Sequence, residues 1–206
     1  DEQNSEGKMI IIGNATGYRL TLSKNENGTD SVTKFIYGDA IYPTLFSKTK
    51  DTEETEVTAV TYQLKAEKNP PKFTAGTTTT NVGKYTLQAV VKDEVVAEVD
   101  IEIQPRPVTI SIESKENVSD ITDPKYKPEP ICNENEMTSD ELNALNLTYT
   151  VQNSAGNTVE NFISKDTLPG NYVVTPCKSA TTPEDRYRNY EITYCSGTYH
   201  VIGVTY

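Results

Sequence analysis

Tryptophan is absent, methionine occurs twice and histidine once, so little is available for a metal centre or an acid–base relay. The lone histidine, His200, excludes paired-histidine zinc sites and is the one residue open to any histidine-dependent mechanism. It falls on an expected strand, facing away from Tyr199, where a surface or edge position is expected rather than a catalytic base. No apolar run reaches the roughly 18 residues of a membrane-spanning helix. No charged, apolar, small-residue leader opens the chain, and residues 1–8 read as a polar tail; the chain's net acidity suits a monomer, and if the native protein is exported the chain is a mature form or a segment from inside it. The three cysteines are an odd number and lie in the second half, at 132, 177 and 195. They cannot all pair within one chain and lack C-x-x-C spacing, so free or buried thiols are expected, with a bridge from Cys132 to either partner left open. No oxygen-ligand spacing of a calcium loop is found, and residues 76–84 lack the spacing of a phosphate loop. Thirty acids make many accidental carboxylate pairs, and none stands out. No catalytic set, metal or cofactor is therefore expected.

The formal net charge is −11, spread evenly. Residues 1–104 carry 16 acidic and 11 basic side chains, and residues 105–206 carry 14 and 8. Neither half offers the basic face that a phosphate backbone or an anionic membrane needs, so neither nucleic acid binding nor membrane insertion is expected.

What is abundant is threonine and tyrosine, with 13 of the latter, which favours strands over helices. Val60, Tyr62, Leu64 and Ala66 alternate with Thr61, Gln63 and Lys65. Tyr85, Leu87, Ala89 and Val91 form another strand, reversed at Lys92-Asp93-Glu94 into Val95, Ala97, Val99, Ile101 and Ile103, with Glu98, Asp100 and Glu102 facing water. After Pro105-Arg106-Pro107 the alternation resumes at Val108, Ile110 and Ile112. Ser139-Asp140-Glu141-Leu142 predicts an N-capped helical turn, and 172–175 is expected to pair with 190–194 as a last hairpin.

Two turns match. Gly83-Lys84-Tyr85 and Gly170-Asn171-Tyr172 are 87 residues apart, close to the roughly 100 residues of a small β-sandwich, and each opens an alternating strand. In such sandwiches a tyrosine at this place hydrogen-bonds back to the preceding corner, a role expected of Tyr85 and Tyr172. The organisation predicted is all-β: two tandem immunoglobulin-like β-sandwich domains at 9–104 and 108–206, joined by a stiff hinge at 105–107 and spanning roughly 70 to 80 Å.

The chain resembles the tandem β repeats of bacterial surface proteins, the bacterial immunoglobulin-like and MBG (YGX type) families. The resemblance is carried by Tyr37-Gly38-Asp39-Ala40 with Pro43, by Leu147-Thr148-Tyr149-Thr150-Val151, by Leu168-Pro169-Gly170-Asn171-Tyr172, and by Asn189 through Tyr194 with Gly197-Thr198-Tyr199. The second module has Asp123-Pro124-Lys125-Tyr126 where the families open on Tyr-Gly-Asp. The resemblance implies export, a bacterial cell-surface location and a stalk or adhesin-like role, and implies no catalytic residues. A non-catalytic structural segment is the expected function. The alternative is a module recognising host glycan or extracellular-matrix glycoprotein, with Arg186, Tyr187, Arg188 and Tyr190 as the one aromatic and basic cluster suited to it. Two covalent options stay open: sequons at Asn14, Asn27, Asn117 and Asn146, and a Lys–Asn isopeptide crosslink using Lys34 or Lys84.

Overall fold

Alternating apolar and polar residues put one face of each strand in the core, and that pattern organises the chain into sheets. The computed structural model describes residues 10–12, 16–77 and 80–203. The expected polar tail at 1–8 and the sequon asparagine at position 14 lie outside the described residues. Strands hold 46 % of the residues and helices 6 %, so the chain is all-β. It divides into two compact units, Asp1–Pro105 and Arg106–Tyr206.

The first unit contains β1 (Ile10–Ile12), β2 (Thr16–Ser23), β3 (Lys34–Ile36), β4 (Tyr42–Thr49), β5 (Thr55–Glu56), β6 (Thr61–Leu64), β7 (Lys72–Phe73), β8 (Gly83–Val91) and β9 (Glu94–Gln104). They form two sheets, ordered β1-β2-β4-β5 and β3-β9-β8-β6-β7. Leu20, Leu22 and Leu45 from the first sheet pack with Phe35, Leu87, Ala89, Ala97, Ile101 and Ile103 from the second, giving a sandwich-like core. β8 and β9 are a hairpin closed by Lys92 and Asp93, both at positive φ, 50° and 65°, as a two-residue turn compatible with sheet twist requires. The register slips between Ala89 and Val90, where Ala89 faces Ala97 but Val90 faces Val95. The bulge leaves Val96 as the extra residue and turns it, rather than the expected Val95, into the core.

The second unit contains β10 (Arg106–Ile112), β11 (Lys115–Val118), β12 (Pro130–Cys132), α1 (Ser139–Ala144), β13 (Thr148–Asn153), β14 (Gly170–Cys177), β15 (Tyr190–Cys195) and β16 (Gly197–Val201). Its sheets are ordered β12-β10-β15 and β11-β16-β14-β13. Ile112, Val118, Val151, Tyr172, Val174, Tyr199 and Val201 pack around Phe162, whose ring centroid lies 4.9 Å from that of Tyr172 and 5.7 Å from that of Tyr199. Val108, Ile110, Met137, Leu145 and Tyr187 form a second cluster.

Four local expectations are revised. Arg106 and Pro107 belong to β10 rather than to a linker segment. Arg106 N donates to Asn189 O at 3.0 Å, so the nitrogen of Pro107 faces the other side, where β12 does not begin until Ile110, and a missing N–H costs nothing there. The cap of α1 is Thr138, one residue before the expected start, because Thr138 and Glu141 close a reciprocal capping box. Ala66 is exposed, since β6 ends at Leu64. The expected last hairpin does not form. β14 pairs with β13 and β16, while β15 crosses to the other sheet and runs parallel to β10 from Arg106↔Tyr190 to Ser111↔Cys195.

The two Gly-x-Tyr turns have the same local structure. Tyr85 Oη donates to Asn81 O at 2.8 Å, and Tyr172 Oη donates to Leu168 O at 2.6 Å, each four residues back. The glycine two positions before each tyrosine sits at φ 155° and 154°, where a side chain would be strained.

Candidate functional site

Tyr187 is set by the short 3-10 turn Glu184–Arg186, which ends the polar loop before β15. It is 3 % exposed. Its hydroxyl donates to Leu145 O at 3.0 Å and accepts from Ser179 N at 3.3 Å, while the Lys178 ammonium lies 4.8 Å above its ring and pairs with Glu184 at 3.0 Å. Tyr187 thus pins its loop to the end of α1 and offers no open aromatic face, which corrects its expected role as a stacking platform for sugar. Tyr190 is half-buried against the same cluster, as are Ile192 and Tyr194, the inward positions of β15. Arg186 and Arg188 remain exposed. Of the expected cluster, Tyr187 is core, Tyr190 is half-buried, and Arg186 and Arg188 are surface. The signal in the sequence was the alternation of Tyr190, Ile192 and Tyr194, which places all three on one face of a strand.

His200 is on the outer face of its sheet, its Nδ1 2.7 Å from Asn171 Oδ1, in a cross-strand pair. Cys132, Cys177 and Cys195 are free thiols. Burial holds the Cys177 thiol above its ordinary range, and burial together with the Glu136 carboxylate does the same for Cys132, whose Sγ lies 3.7 Å from Glu136 Oε2. Both are poor nucleophiles in that state, because the thiolate is the reactive form. Cys177 and Cys195 end strands of different sheets. Among the described residues no three His, Cys, Asp or Glu side chains gather as a metal site. Lys34 and Lys84 are exposed, whereas an isopeptide crosslink needs its amine inside the core.

The most distinctive polar site is on the outer face of β3, β9 and β8 in the first unit. A hollow of about 500 Å³ is lined by Lys34, Lys65, Lys84, Thr86, Asp100 and Glu102, among others. Register brings them together: Lys34 and Lys84 stand on either side of Glu102, and Thr86 stands opposite Asp100. Thr86 Oγ1 donates to Asp100 Oδ1 at 2.7 Å, and the Lys65 ammonium reaches Glu98 at 3.9 Å. Beside them Gln63 Nε2 donates to Gln88 Oε1 at 2.9 Å, and Gln88 Nε2 donates to Glu98 Oε2 at 3.1 Å, so that Gln88, only 8 % exposed, has partners on both sides. Among the described residues neither Lys34 nor Lys84 lies within ion-pair distance of a carboxylate.

The chain matches no family model and no curated protein. What the hollow can do is read from its groups. It presents ammonium donors and carboxylate acceptors side by side on the outer face of β3, β9 and β8, with no histidine in its lining and, among the described residues, no metal set. That arrangement suits recognition of a polar molecule. Sequence reasoning missed it because its residues come from separate strands 34 to 102 along the chain, and only the parallel pairing of β3 with β9 assembles them.

Proposed function

We propose that the chain is a non-catalytic structural segment of an exported bacterial cell-surface protein, adhesin-like in kind, built from two tandem immunoglobulin-like β-sandwich domains. The observation that carries this reading is the duplicated Gly-x-Tyr corner, with the same tyrosine hydroxyl-to-carbonyl hydrogen bond in each unit, set in sheets of matching order. If β3, β9, β8 and β6 are laid on β11, β16, β14 and β13, every neighbour and every direction agrees. Duplication of a module without a duplicated chemical site is the economy of an array, whose product is length rather than turnover.

The strand directions suit a load-bearing role. Pulling on the ends of a unit draws the early strand one way and the late strand the other. Where those strands are parallel, as β3 with β9 and β11 with β16, their hydrogen bonds are loaded together in shear instead of opening one at a time. Single-molecule stretching of the 206-residue chain tests this. Two separate unfolding steps are expected, each lengthening the chain by roughly 300 Å as about 100 residues are released. Featureless extension at low force would overturn the mechanical reading. A second reading, a module that binds host glycan or extracellular-matrix glycoprotein, draws on the lysine-lined hollow of the first unit and no longer on Tyr187.

A further inference from the structure

We propose that the hollow formed by β3, β9 and β8 is a binding site for an acidic saccharide, with the carboxylate of the sugar held by Lys34 and Lys84 and its hydroxyls by Asp100 and Glu102. The proposal rests on the second reading above and gives it a place and a ligand class.

The fold does not ask for these charges. By the shared register, Lys84 opposite Glu102 corresponds to Asn171 opposite His200, and Thr86 opposite Asp100 corresponds to Val173 opposite Thr198. The second unit builds the same sheet with Asn171, Val173, Thr198 and His200 at these four positions, so the charges of Lys84, Asp100 and Glu102 are not a requirement of sheet formation. Nor does solubility ask for lysine here, in a chain already at −11. One carboxylate, Glu102, stands opposite two lysines, and among the described residues neither ammonium lies within ion-pair distance of it, so both are open to an anionic group.

The donor and acceptor set selects the class of ligand. A bare anion such as sulfate satisfies the ammonium groups but meets Asp100 and Glu102 as like charges. A neutral sugar satisfies the carboxylates, which accept hydroxyl protons, but leaves the ammonium groups with water. A molecule with a carboxylate next to several hydroxyls satisfies both, and the approximately 500 Å³ of the hollow fits one or two sugar rings. Sialic acids and uronic acids share this chemistry.

The test is a titration of the whole 206-residue chain, followed by amide NMR, with a sialylated trisaccharide, a glucuronate-containing tetrasaccharide, lactose and sodium sulfate as separate probes. Shifts centred on Lys34, Lys84, Thr86 and Glu102 are expected with one or both acidic sugars, weakening as salt is added. The two acidic probes tell a sialylated source from a uronate one. The double variant Lys34→Gln/Lys84→Gln, exposed on both sides and so not expected to disturb folding, should bind about tenfold or more weakly, the effect of losing charge-assisted hydrogen bonds. Asp100→Asn should reduce binding of the acidic sugars while relieving exclusion of sulfate. Binding of an acidic sugar unaffected by the double variant, or centred on Arg186 and Arg188, would overturn this site and leave the glycan reading standing. Equal response to lactose and the acidic sugars would overturn the ligand class. No response to any saccharide would overturn both.

Discussion

The two units make the same sheet by different routes. In the first, β8 turns directly into β9 across Lys92 and Asp93. In the second, the strand equivalent to β8 is β14, and the chain leaves it for a polar loop, crosses to the opposite sheet as β15, and only then returns as β16 to lie where β9 would be. The position beside the first long strand is taken by β1, antiparallel to β2, in one unit and by β15, parallel to β10, in the other. What is held constant is the corner, the inward alternation and the neighbour order. The connection between the last strands is free to vary, so an extra strand can be accepted without disturbing the sheet it interrupts.

The comparison breaks most sharply at Tyr187, which secures the detour. Tyr187→Ala should remove about 3 to 5 kcal/mol from the second unit, the range for emptying a buried aromatic site, with a further contribution from the unpaired Leu145 carbonyl. Urea denaturation measures it; an effect below about 1 kcal/mol would mean that the loop is held elsewhere. The return from the detour is at Gly197, where an added Cβ would lie 2.4 Å from Ile112 O, a backbone atom with little room to move. Gly197→Ala should therefore cost roughly 1 to 3 kcal/mol, and a neutral result would show that β16 can shift away from β10.

Two finer measurements test what the units share. Tyr85→Phe and Tyr172→Phe should each cost about 0.5 to 1.5 kcal/mol, the net value of one hydrogen bond, with Tyr172 at the higher end because it is more buried. A large cost in one and none in the other would mean that the corner is structural in only one unit. At high pH both units should weaken together. Burial pushes the hydroxyls of Tyr62 and Tyr199 up to about 12. A phenol whose folded pKa is raised stabilises the fold fully below its unfolded value near 10 and loses that contribution as pH rises toward 12. Thermal melts over this window should fall in midpoint, and Tyr62→Phe and Tyr199→Phe should each flatten the decline.

The strands were legible where apolar and polar residues strictly alternate, as in β8 and β10. They were less so at Val95-Val96-Ala97, where three successive apolar residues fit either face and only pairing locates the bulge. β15 was legible as a strand but not as a partner of β10, since alternation reports which face is buried and not which neighbour is bonded. The binding cluster was misread for a related reason: Tyr187 lies in a charged, polar loop, and composition places such a loop on the surface, while the carbonyl to which its hydroxyl donates belongs to Leu145, 42 residues away. The hollow was legible only as separate residues, its lysines having been considered singly.

The crossing of β15 also sets a timetable. The β8–β9 hairpin of the first unit joins neighbours in sequence and can close within microseconds of leaving the unfolded chain. The first residue of β10 must wait for Tyr190, 84 positions later, before its parallel partner exists. Until then one side of β10 is an unpaired edge, and closing so long a loop is slow in proportion to the entropy it gives up. During synthesis the second unit therefore remains open until nearly its last strand has emerged, and the interval in which an exposed edge can find the wrong partner is longest there.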